Sequence, residues 1–376
     1  MYIAFNKPYY PITSILAGVR AIKAGTISGN GTYTKKCHRF FEERYNVKKA
    51  LLTSSCTDAL EMASLLADIQ PGDEVILPSF TFVSTANAFI LRGAKLVFAD
   101  ILHDIPNIDP AQIEALINPH TKAIVVVHYC GIACKMDEIM TLARKNNLIV
   151  IEDAAHALDS RYKDRPLGSI GHFGTFSFHE TKNIFCGEGG LLTINDEEYV
   201  NRAEIIWEKG TNRAAFYRGE VDKYNWVDLG SSFLPSDAIA SFLYLQLQIL
   251  EKIQRKRIAH WNHYDKLLNP LENEGLLKLP VIPSYATVNG NMYYFLMSSQ
   301  EERDKMLGYL RSQGIQAVFH YLPLHSSPYF RNKHDGRELP NTDRFANCIV
   351  RLPFFYSLKE RQIRYITNKI SDYFKK

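Results

Sequence analysis

Lys182 lies in Ser177-Phe178-His179-Glu180-Thr181-Lys182-Asn183, directly after an apolar run and shortly before Gly187-Glu188-Gly189-Gly190 and a second run. A lysine between two buried strands is unusual, because burial opposes its charge. A desolvated amine of lowered pKa suits covalent chemistry with a carbonyl. The plainer reading is a surface lysine on a β–β connection. Ile151-Glu152-Asp153-Ala154-Ala155-His156 ends another apolar run on an acid. A carboxylate at a buried strand end needs a cation, which could be Arg, Lys, a metal or a protonated ring nitrogen. His156 could reach the same ligand, or could be a satisfied core histidine beside an N-cap aspartate.

Two further segments join these. Thr53-Ser54-Ser55-Cys56-Thr57-Asp58-Ala59 runs from an apolar stretch into a helical pattern. Free N–H groups and the helix dipole favour an anion there, typically phosphate, although a plain N-cap uses the same residues. Phe82, in Pro78-Ser79-Phe80-Thr81-Phe82-Val83, could stack on a flat ring or sit in the core. Together these form a phosphate cup, a stacking aromatic, an acid for a ring nitrogen and a lysine. That is the set pyridoxal phosphate (PLP) requires: the lysine holds the aldehyde, and the acid keeps the pyridine nitrogen protonated so that the ring acts as an electron sink. The glycines at 187–190 are not a dinucleotide fingerprint, since GEGG lacks the GxGxxG spacing and precedes a strand. A nicotinamide dehydrogenase is disfavoured accordingly.

The elements that would position these residues follow a regular rhythm. Apolar runs at Ala50–Thr53, Glu74–Leu77, Lys95–Ala99, Ala123–Val127, Leu148–Glu152, Gly174–Phe178 and Leu191–Ile194 predict seven strands. Helical patterns at Thr57–Asp68, Val83–Leu91, Pro110–Ile117 and Met136–Lys145 separate the first five. This alternation predicts an α/β fold with one large, mostly parallel sheet covered on both faces. Before it, Ile15, Leu16, Val19 and Ile22 have helical spacing, Gly25–Tyr33 reads as a loop, and Thr34–Tyr45 reads as a helix with Phe40, Phe41 and Tyr45 inward. After it come a helix over Glu197–Glu208, a polar stretch from Gly210 to Asp228, and one long helical region from Ser236 to about Asn269. Strands at Tyr293–Met297 and Ala317–Tyr321 and helices at Glu301–Gln313 and Leu358–Phe374 predict a small α+β domain. The expected division is a large domain over 1–250 and a small one over 251–376. In such a sheet, ligands bind beyond the carboxyl ends of the strands, where the chemistry-bearing residues fall.

Composition fits this picture. The chain has 376 residues, 46% hydrophobic and 22% charged, which suits two globular domains and excludes a disordered chain. Its net charge of +4 comes without a long basic run, so nucleic acid is not an expected partner. No stretch has the length of a membrane helix and no signal peptide is apparent, so a cytoplasmic location is expected. Six cysteines in such a chain read as reduced thiols, and CxxxC at Cys130 and Cys134 lacks a second ligand pair for a metal.

On these residues the sequence resembles the DegT/StrS-type sugar aminotransferases, a branch of PLP-dependent fold type I. The similarity runs from Phe5 to about Tyr356. It is most specific at Thr53–Ala59, Pro78–Ala86, Glu152–His156, Ser177–Asn183 with Gly187–Gly190, and His320–His325 (HYLPLH). LLTSSCTDALEMA, PSFTFVSTANAF, FSFHETKN, EKGTNR and VDKYNWVDLGSS resemble the subgroup acting on dTDP-4-keto-6-deoxy-D-glucose, which supplies 4-amino sugars for bacterial surface glycans such as lipopolysaccharide or enterobacterial common antigen.

The resemblance implies that Lys182 carries the cofactor, Asp153 pairs with its pyridine nitrogen, and His156 lies near its phenolic oxygen. It further implies that Phe82 stacks on the ring, and that Cys56, Thr57 and Asp58 hold the phosphate through their backbone with the Ser177 hydroxyl. Relatives lend an asparagine across a dimer from a GxNxR segment. Here Gly230–Leu234 has Ser232 in place of that Asn and Leu234 in place of the Arg. A homodimer is thus expected from the resemblance alone. A related dehydratase branch carries His at the lysine position, and Lys182 argues against it.

The expected reaction moves an amine from L-glutamate, released as 2-oxoglutarate, to C4 of the dTDP-keto sugar, with Lys182 shuttling the proton. Arg213, with Lys209, Arg218 and Lys223, offers cations for the pyrophosphate, and His320 and Tyr321 are expected at the sugar. Sister enzymes giving the glucose-configured 4-amino sugar or a 3-amino sugar remain open, as does a non-catalytic PLP-binding regulator.

Overall fold

A computed structural model describes residues 2–23, 25 and 27–375; the side chains at 12, 13, 15, 17 and 20 are outside it. The central sheet is built from β1 (Lys49–Thr53), β2 (Glu74–Pro78), β3 (Lys95–Ala99), β4 (Thr121–Val127) and β5 (Ile149–Asp153), with two later strands. A short hairpin, β6 (Arg161–Tyr162) and β7 (Arg165–Pro166), intervenes before β8 (Phe173–Ser177) and β9 (Gly190–Ile194) complete the sheet. The order is β1-β9-β8-β5-β4-β2-β3. Only β9 runs against its neighbours. The seven expected strands are therefore all present, in the expected mostly parallel fold.

The sheet is buried on both faces, and the two-residue side-chain period sorts the core. Leu51, Val75, Leu77, Val125 and Ile151 pack on one face with α3 (Cys56–Leu66), α4 (Val83–Ile90) and α7 (Val200–Trp207). Leu52, Ile76, Ile124, Val126 and Val150 pack on the other with α2 (Thr32–Tyr45), α6 (Met136–Asn146) and α9 (Asp237–Leu247). The C-terminal part has its own core, in which Trp261, Tyr264 and Leu268 of α10 (Leu250–Asn273) meet α11 (Gln300–Ser312) and α13 (Glu360–Phe374). Ile3 belongs to that core and bridges to Ile315.

Several local expectations need correction. The region from Ser236 to Asn269 is two helices, interrupted at Gln248–Ile249. The break lets Leu243, Leu247, Leu250 and Ile253 all turn toward the sheet's core before α10 continues into the second core. Ala317–Tyr321 is not a strand. It makes one bridge, Val318 to Arg351, and then leaves the pairing. The sequence reading missed α12 (Pro340–Cys348) and β11 (Ile349–Arg351), which pairs with β10 (Tyr294–Leu296). Phe41 and Tyr45 are buried as expected, whereas Phe40 is half-buried. The early helix is α1 (Ile12–Lys23), but its Leu16, Val19 and Ile22 are 49%, 45% and 58% exposed in the single chain. Ile15's side chain and Thr26 of the expected loop lie outside the described residues.

At the end of β5 the strand period sends two adjacent acids to opposite faces. Glu152 is fully buried and anchors the 168–171 turn: its carboxylate accepts the N–H groups of Gly168, Ile170 and Gly171 at 2.7–2.8 Å. It also accepts from His128 Nε2 at 2.9 Å, while His128 Nδ1 accepts the Cys134 N–H. Asp153 is left facing the other way. Glu152→Ala should strand these donors and lower stability by about 3–5 kcal/mol in chemical denaturation. A midpoint and slope equal to wild type would contradict the anchoring role.

Candidate active site

The carboxyl ends of β1, β2, β5 and β8 open into a cavity of about 550 Å³, closed on the far side by the 320–321 segment and Arg351. Of the residues singled out from sequence, Cys56, Thr57, Phe82, Asp153, His156, Ser177, Lys182, His320 and Tyr321 all line it. Asp58, Arg213 and Ser232 do not.

One wall is the start of α3. Ser55 caps it, its Oγ accepting the Asp58 N–H at 3.1 Å, so Asp58 is committed within the helix. The N–H groups of Cys56 and Thr57 have no acceptor within the helix and stand at its positive end. Gly190 sets how closely β9 approaches this turn. A Cβ there would lie 2.3 Å from the Ser55 carbonyl group and 2.5 Å from the Cys56 nitrogen. Gly190 of the GEGG stretch is therefore explained by close backbone packing under the helix start. Thr57 Oγ1 donates to Ser84 Oγ at 2.8 Å, tying α3 to α4.

Asp153 is 6% exposed and fixed on both oxygens. Its Oδ1 accepts the Ala155 N–H at 3.1 Å and its Oδ2 accepts from Thr85 Oγ1 at 2.7 Å. Thr81 Oγ1 lies 2.9 Å from Thr85 Oγ1. Because Thr85 gives its proton to Asp153, Thr81 is the donor in that pair. Both threonines were missed from sequence. Thr85 lies in the first turn of α4 and Thr81 just before that helix, so no helical spacing marks the pair. His156 is buried with Nδ1 unpartnered, its ring parallel to Tyr321 within 6° at 6.4 Å. Burial, with the Lys182 and Arg351 charges, holds it well below the usual histidine range, so it is neutral. Phe82 is 52% exposed at the cavity mouth, its ring 5.7 Å from that of Tyr321.

Lys182 projects from the β8–β9 loop. Its neighbour Asn183 pins that loop: Nδ2 donates to Gln254 Oε1 and the Asn289 carbonyl at 2.8 and 2.9 Å, and Oδ1 accepts from Asn291 at 3.1 Å. Burial lowers the Lys182 pKa from 10.5 to about 8, resisted by Cys56 and Asp153 and reinforced by Arg351. Much of the amine is thus uncharged under mildly alkaline conditions, as a nucleophile requires.

These groups fit PLP. An anion can be received at the α3 start, a ring nitrogen at Asp153, a polar ring substituent at the orphaned Nδ1 of His156, and an aldehyde at Lys182. Arg213 is exposed on α8 (Arg213–Tyr217) and donates to Tyr217 Oη at 2.9 Å. Arg218 is engaged by Glu204 and Glu220, each at 2.7 Å. Ser232 is exposed on a bridge to Glu208.

In cofactor-free protein, acetylation of Lys182 by limiting acetic anhydride, quantified by peptide mass spectrometry, should follow a titration with midpoint near pH 8. A midpoint near 10.5 would contradict the desolvation described.

Comparison with known proteins agrees with this geometry. The DegT/DnrJ/EryC1/StrS aminotransferase family pattern matches residues 13–371. The spore coat polysaccharide biosynthesis protein SpsC of Bacillus subtilis (strain 168) is 31% identical over 99% of this chain and 97% of its own. An aminotransferase from Psychrobacter cryohalolentis superposes with a TM-score of 0.92 at 27% identity, covering 98% of both chains. Spr1654 from Streptococcus pneumoniae, solved in its PLP form, superposes with a TM-score of 0.90 at 25% identity over 99% of this chain and 98% of its own. The expected fold type, transaminase class and PLP cofactor stand with these findings. The chain belongs to the DegT/DnrJ/EryC1/StrS aminotransferase family.

Proposed function

We propose that this protein transfers the amino group of L-glutamate to C4 of dTDP-4-keto-6-deoxy-D-glucose, giving dTDP-4-amino-4,6-dideoxy-D-galactose for a bacterial surface glycan. The observation that carries the chemistry is the meeting of Lys182, Asp153 and His156 in one cavity at the start of α3. The choice of sugar is supported by the subgroup resemblance of the segments Leu51–Ala63, Pro78–Phe89 and Val221–Ser232. SpsC, named for spore coat polysaccharide biosynthesis, supports a glycan-building role.

PLP, when bound, supplies an electron sink for the carbon that bears the migrating amine. The residues divide the remaining work. Cys56 and Thr57 N–H groups and the Ser177 hydroxyl would receive its phosphate. Asp153, oriented by Thr85 and Ala155, would accept the pyridinium N–H and keep that proton in place. Phe82, at the cavity mouth, would cover the ring face. His156, with its buried Nδ1 unpartnered, would be available to the phenolic oxygen. With the cofactor bound, the Lys182 amine would be the group that takes up and returns the proton during amine transfer, from the donor's α-carbon in one half-reaction and on the sugar in the other. His320 and Tyr321 hold the sugar.

Arg213 and Ser232 are exposed in the single chain, so they would reach substrate or phosphate in a site shared with a second copy. Exposed apolar residues support such a homodimer: Leu16, Val19 and Ile22 on α1, Phe82 at the cavity mouth with its neighbour Val83, and Trp226 and Leu229, 81% and 51% exposed, before Ser232. Analytical ultracentrifugation should give twice the chain mass, and a monomer at micromolar concentration would remove the shared site. Among the described residues no helix is long and apolar enough to cross a membrane. A cytoplasmic location is proposed with the nucleotide-sugar substrate.

The direct test incubates PLP-loaded protein with L-glutamate and the keto-sugar nucleotide and reads the product by NMR. An axial C4 amine is expected. An equatorial amine, or amination at C3, would reassign the protein to a sister transaminase, and no product from any keto sugar would leave a PLP-binding regulator. Asp153→Asn should retain the cofactor but lower turnover by about 100-fold or more. Near-normal turnover would remove Asp153 from the chemistry.

A further inference from the structure

Four buried carboxamides, Asn183, Gln254, Asn289 and Asn291, meet beside the connection that carries Lys182. Asn183 donates through Nδ2 to Gln254 Oε1 at 2.8 Å and to the Asn289 carbonyl at 2.9 Å. Gln254 Nε2 and Asn289 Nδ2 both donate to the Leu158 carbonyl at 3.0 Å, which closes a ring. Asn289 Nδ2 also donates to the His156 carbonyl at 2.7 Å, and Asn291 Nδ2 donates to Asn183 Oδ1 at 3.1 Å. Gln254 of α10 and Asn289 thus each join the β8–β9 connection to the segment carrying His156. The 289–291 turn is itself held. Arg257, one turn along α10 from Gln254, donates to the Gly290 and Asn291 carbonyls, each at 2.8 Å. Gly290 has a φ of +59°, and a Cβ there would lie 2.7 Å from the Arg257 carbonyl carbon. Asn289 Oδ1 accepts the Asn291 N–H at 3.0 Å.

We propose that Asn289 and Gln254 are positioning residues for amine transfer: their amide ring fixes the Lys182 connection against the His156 segment and holds the reacting amine out of bulk water. This rests on Lys182 as the reacting amine. Buried carboxamides are a costly way to fill a core, because each N–H and C=O must find a partner. Here every link of the ring spans two segments, so the partners are all found in one arrangement. A displacement of the β8–β9 connection breaks several hydrogen bonds together. Apolar side chains of similar size would hold the segments together but specify their placement less sharply. The two segments so joined are the ones that bring Lys182 and His156 to the cavity, and Asn291 lines that cavity beside them. A misplacement of about 1 Å at a reacting group costs on the order of 100-fold in rate, so a ring of this kind acts on the chemistry without touching substrate.

The test compares wild type with Asn289→Ala and Gln254→Met, neither of which changes the charge around Lys182. In cofactor-free protein, the acetylation midpoint of Lys182 should rise from about 8 toward 10.5, by about one pH unit, as water reaches the amine. In PLP-loaded protein, the half-reaction with L-glutamate, followed by stopped-flow absorbance, should slow about 10–100-fold at saturating donor. The donor concentration giving half the maximal rate should stay as in wild type, since the ring does not bind the donor. Gln254→Met keeps the length of the side chain and decides the matter where Asn289→Ala does not fold. A lowered thermal midpoint in folded variants, with Lys182 still titrating near 8 and the half-reaction at the wild-type rate, would make the ring merely structural. That result would overturn the assignment and leave the proposed function intact. Wild-type protein whose Lys182 titrates near 10.5 would overturn the desolvation of that amine together with this inference.

Discussion

An ammonium group keeps its proton because water solvates it, and at Lys182 much of that water is withdrawn. Most of the architecture around the cavity serves this one condition. Lys182 sits in the β8–β9 connection, which its neighbour Asn183 fastens to α10 and to the 289–291 segment. Cys56 and Asp153 restrain the fall in pKa, so the amine remains titratable near pH 8 and does not become permanently neutral. A group balanced in this way can both capture an aldehyde and carry a proton.

The strand period does the second piece of work. At the end of β5 one acid is spent on structure and its neighbour on chemistry. Glu152 is consumed by backbone N–H groups and His128 and holds the turn after the β6–β7 hairpin. Asp153 points to the opposite face, where the Thr81–Thr85 relay at the start of α4 orients it. A one-residue slip in β5 would exchange the two roles, which ties the register of a central strand directly to function.

The large sheet could be read from sequence because its strands are buried on both faces and appear as unbroken apolar runs. The residues following β1, β2, β5 and β8 then had to converge, since parallel strands place their carboxyl ends together. That logic brought Cys56, Phe82, Asp153, Ser177 and Lys182 to one cavity without any knowledge of their contacts. It failed where contacts decide. Thr85 looks like an ordinary helix residue until Asp153 is placed beside it. Arg351 lies on a three-residue strand too short to give a periodic signal. The interruption at Gln248–Ile249 carries no Pro or Gly to mark it and exists because two cores must both be filled. Arg213 was drawn from a polar stretch and Ser232 from the segment matched to GxNxR, and no local pattern could fix where either lies relative to the cavity; in the single chain both stand outside it.

The account depends on Lys182 being the residue that joins the cofactor. Borohydride reduction of the PLP-loaded protein, followed by peptide mapping, measures this directly. The reduced pyridoxyl group is predicted on the peptide containing Lys182, with one label per chain. A label on any other lysine, or none in folded protein saturated with PLP, would contradict the account.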